Sequence, residues 1–281
     1  PERMSDSGSA TQGVARLFDA LAGVYDAVGV DFFQPIADQL LSAMQPQSGE
    51  RWLDVGCGRG AVLLPVAHTV GPVGRVTGVD ISAGMAAACE QEARRLGLGN
   101  VDVVVADARD LPFSESQFDA IASCLVLFFV PDPGAAVRSW LPLLTPGGRL
   151  GITTFAEMDA RWSTVDDVFT PYLPPHLRDA RTSGKSGPFG SHAGVEQLVS
   201  DAGFVDVRTV TGSISVRFAS AEQWHDFTWS TGQRAMWLSV PEEERAAVRA
   251  EAERRLSSHA QADGSIVFDQ PIRHTLARRA D

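Results

Sequence analysis

The stretch LDVGCGRG, residues 53–60, joins an apolar run to a helical pattern through a turn that contains three alternating glycines. Gly56, Gly58 and Gly60 allow positive φ angles, and they let a ligand approach the backbone without meeting a Cβ atom. The helix that the pattern predicts after the turn offers free backbone N–H groups at its N-terminus. This strand, turn and helix therefore predict a cradle for a cofactor.

Strands and helices continue to alternate on the C-terminal side of this turn. The predicted strands lie at about 51–56, 75–80, 101–106, 118–124 and 148–155. The predicted helices between them lie at about 60–69 and 83–96, and a third begins at DPGAAV, residues 132–137. Such alternation is typical of an α/β fold with a parallel sheet. We therefore expect a Rossmann-like, doubly wound, mainly parallel sheet.

The remaining segments predict additions to this sheet. Residues 1–48 read as a helical N-terminal arm, and residues 49–281 as the cofactor-binding domain. Two insertions are expected in that domain, at about 157–190 and 219–262, and long irregular insertions of the first kind often act as lids. Between the insertions we expect a helix at about 192–202 and a strand at 205–218. The second insertion contains expected helices at about 221–239 and 241–258, and a last strand begins at residue 265, in which Pro271 indicates a bulge or an edge position.

Composition narrows the class of protein. The chain has 281 residues, a formal net charge of −11 and three widely separated cysteines. A strongly acidic chain argues against a nucleic-acid partner, which is usually bound by a basic surface. No apolar run approaches the roughly 20 residues of a membrane helix, and the polar start of the chain does not resemble a signal peptide. We expect a cytoplasmic protein without a membrane span, and the oligomeric state stays open.

One of two carboxylates near the glycine turn distinguishes between the possible cofactors. Asp80 ends the second strand, where it suits the ribose of NAD and of S-adenosyl cofactors alike. The glycine turn does not distinguish them either, because Gly56, Gly58 and Ala61 satisfy the dinucleotide pattern G-x-G-x-x-G/A. Asp54 precedes the first glycine by two residues, where it would repel a pyrophosphate. The same carboxylate would attract a sulfonium or an ammonium group, so the sequence favours S-adenosylmethionine.

Five motifs extend this evidence over residues 50–155. They are LDVGCGRG, VTGVDIS, VADARDLPF, FDAIASCLVLFFVPDP and LLTPGGRLGITTF, in that order. With them the chain resembles the class I S-adenosylmethionine-dependent methyltransferases. Within that class it is similar to the menaquinone- and ubiquinone-biosynthesis enzymes and to small-molecule methyltransferases of secondary metabolism.

The resemblance implies the fold, the cofactor S-adenosylmethionine and methyl transfer to a small, mainly apolar or aromatic metabolite. It assigns Gly56 and Gly58 to the methionine portion, beside Asp54. It further assigns the ribose to Asp80 with Ile81, the adenine to Asp107 with Ala108, and the flanks of the amino acid end to Ser123 and Leu125. The chain lacks the Asn/Asp-Pro-Pro-Tyr motif of enzymes that methylate exocyclic amino groups of bases. Phe128 or Phe129 stands where the menaquinone, ubiquinone and small-molecule branch often has histidine.

Methyl transfer by displacement at a sulfonium requires a positioned nucleophile and, for some acceptors, a base. The sequence offers His192 and Glu157 as the preferred base candidates, with His176 and His225 as weaker ones. No metal-binding carboxylate cluster is predicted at the ends of strands four and five, so we expect no metal.

Aromatic residues outside the predicted strands are candidates for contact with the acceptor. They are Tyr25, Trp162, Phe189 and Trp224. Ordinary packing of these side chains is the competing interpretation. Three other functions also remain open on sequence alone: an NAD-dependent oxidoreductase, a module that binds the cofactor without turnover, and a methyltransferase-fold protein that catalyses cyclisation.

Overall fold

The computed structural model describes residues 2–173 and 187–281, with side chains from residue 11 onward in those ranges. Its strands are β1 (Arg51–Val55), β2 (Arg75–Asp80), β3 (Val101–Val105), β4 (Phe118–Cys124), β5 (Leu144–Phe155), β6 (Val205–Phe218) and β7 (Ile266–Arg278). They form one sheet in the order β3-β2-β1-β4-β5-β7-β6. Strands β1 to β5 are parallel to one another, and β7 is antiparallel to both β5 and β6. The predicted doubly wound, mainly parallel sheet is confirmed.

The helices of the described ranges lie before, between and after these strands. They are α1 (Glu2–Leu21), α2 (Phe33–Met44), α3 (Leu63–Val70), α4 (Ala83–Arg95), α5 (Pro133–Trp140), α6 (Ala160–Asp166), α7 (His192–Asp201), α8 (Ala221–Ser230), α9 (Arg234–Ser239) and α10 (Arg245–Ser257). No helix in this part of the chain is long and apolar enough to cross a membrane.

Both faces of the sheet are covered, as the apolar runs of its parallel strands require. In β1, Trp52 packs with α2 and α3 on one face, through residues such as Leu40 and Val66. The next residue, Leu53, packs on the opposite face with Trp140 of α5. This alternation places the carboxyl ends of the parallel strands at one shared edge, with helices on each side.

Local signals decide where the helices begin and end. The Ser82 hydroxyl accepts a hydrogen bond from the Met85 N–H at 3.1 Å and caps α4, as its sequence position predicts. The expected start of α3 at residue 60 is three residues early, because Gly60 has φ of +96° and Leu63 is the first helical residue. The glycine turn is therefore longer than the sequence indicated.

The second insertion also differs from its prediction. The expected helix 221–239 is divided into α8 and α9, because Thr231 is extended, with φ of −122° and ψ of −176°. Helices α6, α8, α9 and α10 pack together, with Trp162 and Trp237 among their buried residues, and we call these four helices the cap. The cap thus contains residues 160–166 of the first insertion; residues 174–186 of that insertion lie outside the described ranges.

Strand β7 lies inside the sheet, between β5 and β6. Its Pro271 opposes Ser213 of β6, while pairing with β5 begins at the next residue, Ile272. The proline therefore lies where β7 is locally an edge, which is the position that a residue without an N–H tolerates.

The N-terminal arm packs closely on the sheet. Ile36 and Leu40 of α2 are fully buried, and Met44 packs over Gly151 of β5, where a Cβ atom would collide with the methionine side chain. The division of the chain at residue 48 stays a prediction.

Candidate active site

A cavity of about 770 Å³ opens at the carboxyl ends of the parallel strands. Its walls include Gly56 after β1, Asp80 at the end of β2, Asp107 after β3 and Leu125 after β4. The strand order reverses between β1 and β4, and ligands of open α/β sheets bind in the crevice at such a point. The volume falls in the range of roughly 300–1,000 Å³ that small-molecule sites occupy.

The glycine turn forms one wall of this cavity. Gly56 and Gly58 have φ of +76° and +51°, and both line the cavity. A Cβ atom on Gly56 would collide with Val126, whereas a Cβ atom on Gly58 would meet no protein atom within 4 Å. Gly56 is therefore required by packing, and Gly58 by the space that it leaves for a ligand.

Asp80 connects the glycine turn to the second strand. One carboxylate oxygen accepts the Gly58 N–H at 2.9 Å, and the other accepts the Ser82 N–H at 2.9 Å. Burial raises the pKa of this carboxyl, against the lowering effect of its backbone hydrogen bonds. Asp80 thus fixes the turn while it faces the cavity.

Asp54 lies behind the turn and does not line the cavity, which corrects the expectation of a direct cofactor contact. It is 2% exposed, and its Oδ2 atom has no hydrogen-bond partner among the described residues. Burial, and then the negative charge of Asp80, raise the pKa of Asp54 to about 7. A cationic group in the nearby cavity would relieve this repulsion.

This raised pKa gives a pH dependence of stability. The folded state keeps a proton on Asp54 that the unfolded chain loses near pH 4, so the wild type should lose stability as the pH rises from about 4 to 7. Asp54→Asn removes the titration. We expect the mutant to gain about 3 kcal/mol of unfolding free energy relative to the wild type between pH 5 and pH 8, measured by urea unfolding without cofactor. A difference that is the same at both pH values would contradict the assignment.

Asp107 lies after β3 and lines the cavity within an ion pair. The Arg109 guanidinium contacts its carboxylate at 2.7 Å and holds the pKa of Asp107 below its ordinary value. Arg109 also donates to the Thr11 hydroxyl of α1 at 3.1 Å. Further along α1, the Asp19 carboxylate accepts hydrogen bonds from the Ser82 hydroxyl at 2.6 Å and from the backbone N–H of residue 84 at 3.0 Å. The arm is thereby fastened over this side of the cavity.

The two residues expected to flank the amino acid end have different positions. Leu125 lines the cavity with φ of +60°, a conformation that is uncommon for a residue with a side chain. Ser123 is fully buried and donates its hydroxyl to the Val55 carbonyl at 3.0 Å, so it joins β4 to β1 instead of facing the cavity. Ile81 and Ala108 line the cavity at their expected positions.

The other half of the cavity is apolar and largely aromatic. Its lining residues come from the arm, the strand ends and the cap: Phe18, Tyr25, Phe32, Phe33, Phe128, Phe129, Phe155, Met158, Trp162, Phe227 and Met236. The Tyr25 ring stacks on Phe33 with centroids 4.7 Å apart. Burial and the nearby carboxylates Asp26 and Asp80 raise the pKa of Tyr25. Of the four aromatic residues that the sequence proposed for acceptor contact, Tyr25 and Trp162 line the cavity.

Phe189 and Trp224 do not line the cavity, which corrects the expectation that they contact the acceptor. Phe189 is buried in the core beneath α5 and α7. Trp224 is fully buried in the cap, and its ring lies edge-on to Trp237 at 6.2 Å. Both lie in the expected insertions, but helix faces that point into a core and into a cavity are equally apolar, so the pattern could not distinguish them.

Trp224→Ala should therefore lower the stability of the protein and leave its cofactor affinity nearly unchanged. We expect the free energy of unfolding to fall by about 3–5 kcal/mol, because a large cavity would remain in the cap. The affinity of the folded protein for S-adenosylhomocysteine should change less than about twofold, since no contact with the cavity is lost. Urea unfolding and calorimetry on this variant, and on the milder Trp224→Phe, measure both quantities. A loss of affinity without a loss of stability would contradict this position.

The base candidates also lie away from the cavity. His192 is exposed at the start of α7, and its Nε2 atom is 3.1 Å from the Thr211 hydroxyl. Glu157 is exposed and does not line the cavity. His225 stacks beside Trp229 in the cap, and His176 lies outside the described residues. The structure thus corrects the expectation that His192 or Glu157 reaches an acceptor in this cavity.

Sequence reasoning missed several lining residues. Phe32, Phe33 and Phe155 line the cavity although the sequence proposed no contact for them, and the adjacent pair of aromatic residues at the start of α2 was the available signal. Phe128 and Phe129 also line the cavity, at the position where the sequence showed aromatic residues in place of a histidine. The polar cavity residue Asp166, at the end of α6, had no sequence signal at all.

Comparison with known proteins bears directly on this site. A methyltransferase domain family matches residues 53–152, which contain the glycine turn and strands β2 to β4. Nocamycin O-methyltransferase of Saccharothrix syringae is 40% identical over 273 residues, covering 93% of this chain and 97% of that protein. The chain belongs to this methyltransferase family. It uses S-adenosylmethionine to methylate a small molecule.

Other relatives of this methyltransferase share the same core. Aklanonic acid methyltransferase of a Streptomyces strain is 37% identical over 174 residues, covering 62% of this chain and 79% of that enzyme. Demethylmenaquinone methyltransferase of Listeria welshimeri is 26% identical over 214 residues, covering 71% and 91% of the two chains.

Solved structures confirm the fold of the methyltransferase. The YcgJ protein of Bacillus subtilis superposes with a TM-score of 0.58 at 15% identity, over 88% of this chain and 99% of that one. The [4+2]-cyclase SpnF superposes with a TM-score of 0.52 at 22% identity, over 88% and 80%. At these identities the likeness concerns the fold alone.

Proposed function

We propose that this methyltransferase transfers the methyl group to an oxygen atom of a small, mainly apolar or aromatic molecule of secondary metabolism. One observation carries the proposal: a single cavity joins the carboxylates and glycines of the strand ends to an aromatic wall from the arm and the cap. The high coverage of the nocamycin O-methyltransferase relative supports oxygen as the acceptor atom.

The residues at the strand ends fit the cofactor. The space over Gly58 is free of protein atoms, and the carboxylate of Asp54 behind the turn has an oxygen without a partner among the described residues. When bound, S-adenosylmethionine supplies an activated methyl group on a positively charged sulfur. We propose that Gly56 and Gly58 hold the methionine portion beside Leu125, with Asp54 and Ser123 supporting the turn from behind.

The same proposal assigns the nucleoside portion to the neighbouring strands. The Asp80 carboxylate can accept the ribose hydroxyls, because carboxylate oxygens each accept more than one hydrogen bond. Asp107 with Ala108 adjoins the adenine, under the part of α1 that Arg109 holds through Thr11.

The aromatic wall performs the positioning that methyl transfer requires. It orients an apolar acceptor against the strand ends and excludes water, which favours an in-line displacement over side reactions. Tyr25 belongs to this wall beside Asp80, and Trp162 belongs to it from the cap. Since His192 and Glu157 lie outside the cavity, neither is part of this proposal.

Incubation with methyl-labelled S-adenosylmethionine and a panel of hydroxylated and carboxylated polycyclic compounds, aklanonic acid among them, tests the proposal. We expect a labelled product whose methyl group is bonded to oxygen, identified by mass spectrometry and NMR. Label on nitrogen or carbon would overturn the oxygen assignment.

A further inference from the structure

Several polar residues interrupt the apolar half of the cavity, and we call four of them the polar wall: Trp162, Asp166, Thr231 and Gln233. Trp162 and Asp166 are four residues apart on α6, so their side chains share one face of that helix. Thr231 and Gln233 lie in the connection between α8 and α9. The Gln233 amide donates to the Asp166 carboxylate at 3.3 Å and joins the two segments.

Two atoms of the polar wall are unsatisfied. Trp162 Nε1 and Thr231 Oγ1 are buried and have no hydrogen-bond partner among the described residues. The two residues are 2% and 4% exposed. Buried polar groups without a partner are rare and costly in native proteins, and both of these residues border the cavity.

Packing fixes the direction of the indole N–H. The Trp162 ring stacks on Phe268 with centroids 5.4 Å apart, and Phe218 and Phe32 lie edge-on to it at 5.7 and 6.4 Å. With three aromatic neighbours the indole cannot turn to find another partner. The donor is therefore preorganised, which makes its recognition of a ligand selective.

We infer that the polar wall binds an oxygen substituent of the acceptor, a hydroxyl or carbonyl group on its apolar skeleton, distinct from the oxygen that is methylated. The inference rests on the proposed function, which makes this cavity the acceptor site. The polar wall belongs to the cap, whereas the cofactor residues belong to the strand ends, so one acceptor would span both.

The chemistry of the four side chains selects the kind of substituent. Trp162 can only donate, the Asp166 carboxylate accepts, and Thr231 can do either. A hydroxyl or carbonyl oxygen meets these requirements. A carboxylate or a phosphate would find no positively charged partner among these four side chains.

Binding of two matched probes tests the inference. The probes are 1,5-dihydroxynaphthalene and 5-methyl-1-naphthol, which differ only by a hydroxyl or a methyl at the far ring. Both are titrated by calorimetry into the protein saturated with S-adenosylhomocysteine, so no turnover occurs. We expect the dihydroxy probe to bind about tenfold more tightly, since a site built for a hydroxyl rejects an analogue without it.

Variants that each remove one polar group test whether the polar wall causes that preference. Thr231→Val and Trp162→Phe should each lower the preference to about threefold or less, and Thr231→Val should not lower the melting temperature, because it removes an unsatisfied group. Thr228→Val is the matched control. Its hydroxyl bonds the His225 carbonyl and the Trp237 indole at 2.9 Å outside the cavity, so it should lose stability and keep the full preference.

Three results would overturn the inference: equal binding of the two probes, no binding of either, or an unchanged preference in both wall variants. Because binding is measured without methyl transfer, these results are independent of the proposed function. If the protein prefers the dihydroxy probe but methylates no oxygen, the inference about the polar wall stands and the proposed reaction is wrong.

Discussion

Gly58→Val should abolish cofactor binding, with the affinity for S-adenosylhomocysteine falling by more than about 100-fold, or about 2.7 kcal/mol. The side chain would enter the one part of the glycine turn where a Cβ atom meets no protein atom, and that space lines the cavity. Valine also resists the positive φ of this position. Calorimetry with S-adenosylhomocysteine measures the loss.

Gly97→Val is the control that distinguishes the effect of a blocked cavity from the effect of backbone strain. Gly97 also has positive φ, of +71°, and open space around a Cβ atom, but it follows α4 and lies away from the cavity. Both variants should lose stability through the strain of their backbones. Only Gly58→Val should lose the cofactor, and equal affinities in the two variants would refute the position of the cradle.

The second large effect is expected for Asp80→Ala. The variant removes the acceptor of the Gly58 N–H and the proposed acceptor of the ribose hydroxyls. Leaving such donors without a charged partner costs about 1–3 kcal/mol, so the affinity for S-adenosylhomocysteine should fall by roughly five- to 150-fold. Calorimetry is again the direct measurement.

Asp102→Ala is the matched control for this change. Asp102 lies on the neighbouring strand β3 and pairs with Arg75 at 2.6 Å on the exposed side of the sheet. Its removal should leave cofactor affinity unchanged, because surface ion pairs contribute little and no cavity contact is lost. If Asp80→Ala keeps wild-type affinity in a folded protein, Asp80 does not hold the cofactor.

The cofactor half of the cavity was predictable because its chemistry follows the strand ends. Gly58, Asp80 and Asp107 each come directly after a strand whose apolar run is evident in the sequence, and parallel strands bring such residues to one edge. Asp54 and Ser123 have the same sequence pattern. They differ only in which way the side chain turns at the end of the strand, and the sequence does not record that direction.

The acceptor half was much less predictable. Trp162 and Trp224 look alike in the sequence, as aromatic residues in the two expected insertions, yet one lines the cavity and the other fills the core of the cap. His192 was favoured as a base because a helix begins there, but tertiary packing turned that helix towards the α5 face of the sheet.

Separate stretches of the chain build the two halves of the cavity, so the two halves can change independently. The proposed cofactor contacts lie between residues 56 and 125, whereas the cap is built from residues 160–166 and 221–257. Substitutions in the cap can accumulate without altering the strand ends, so new acceptors can arise while the chemistry is inherited intact. Exchange of the cap between relatives, with the strand-end residues retained, is accordingly the most direct route to engineering a different acceptor range.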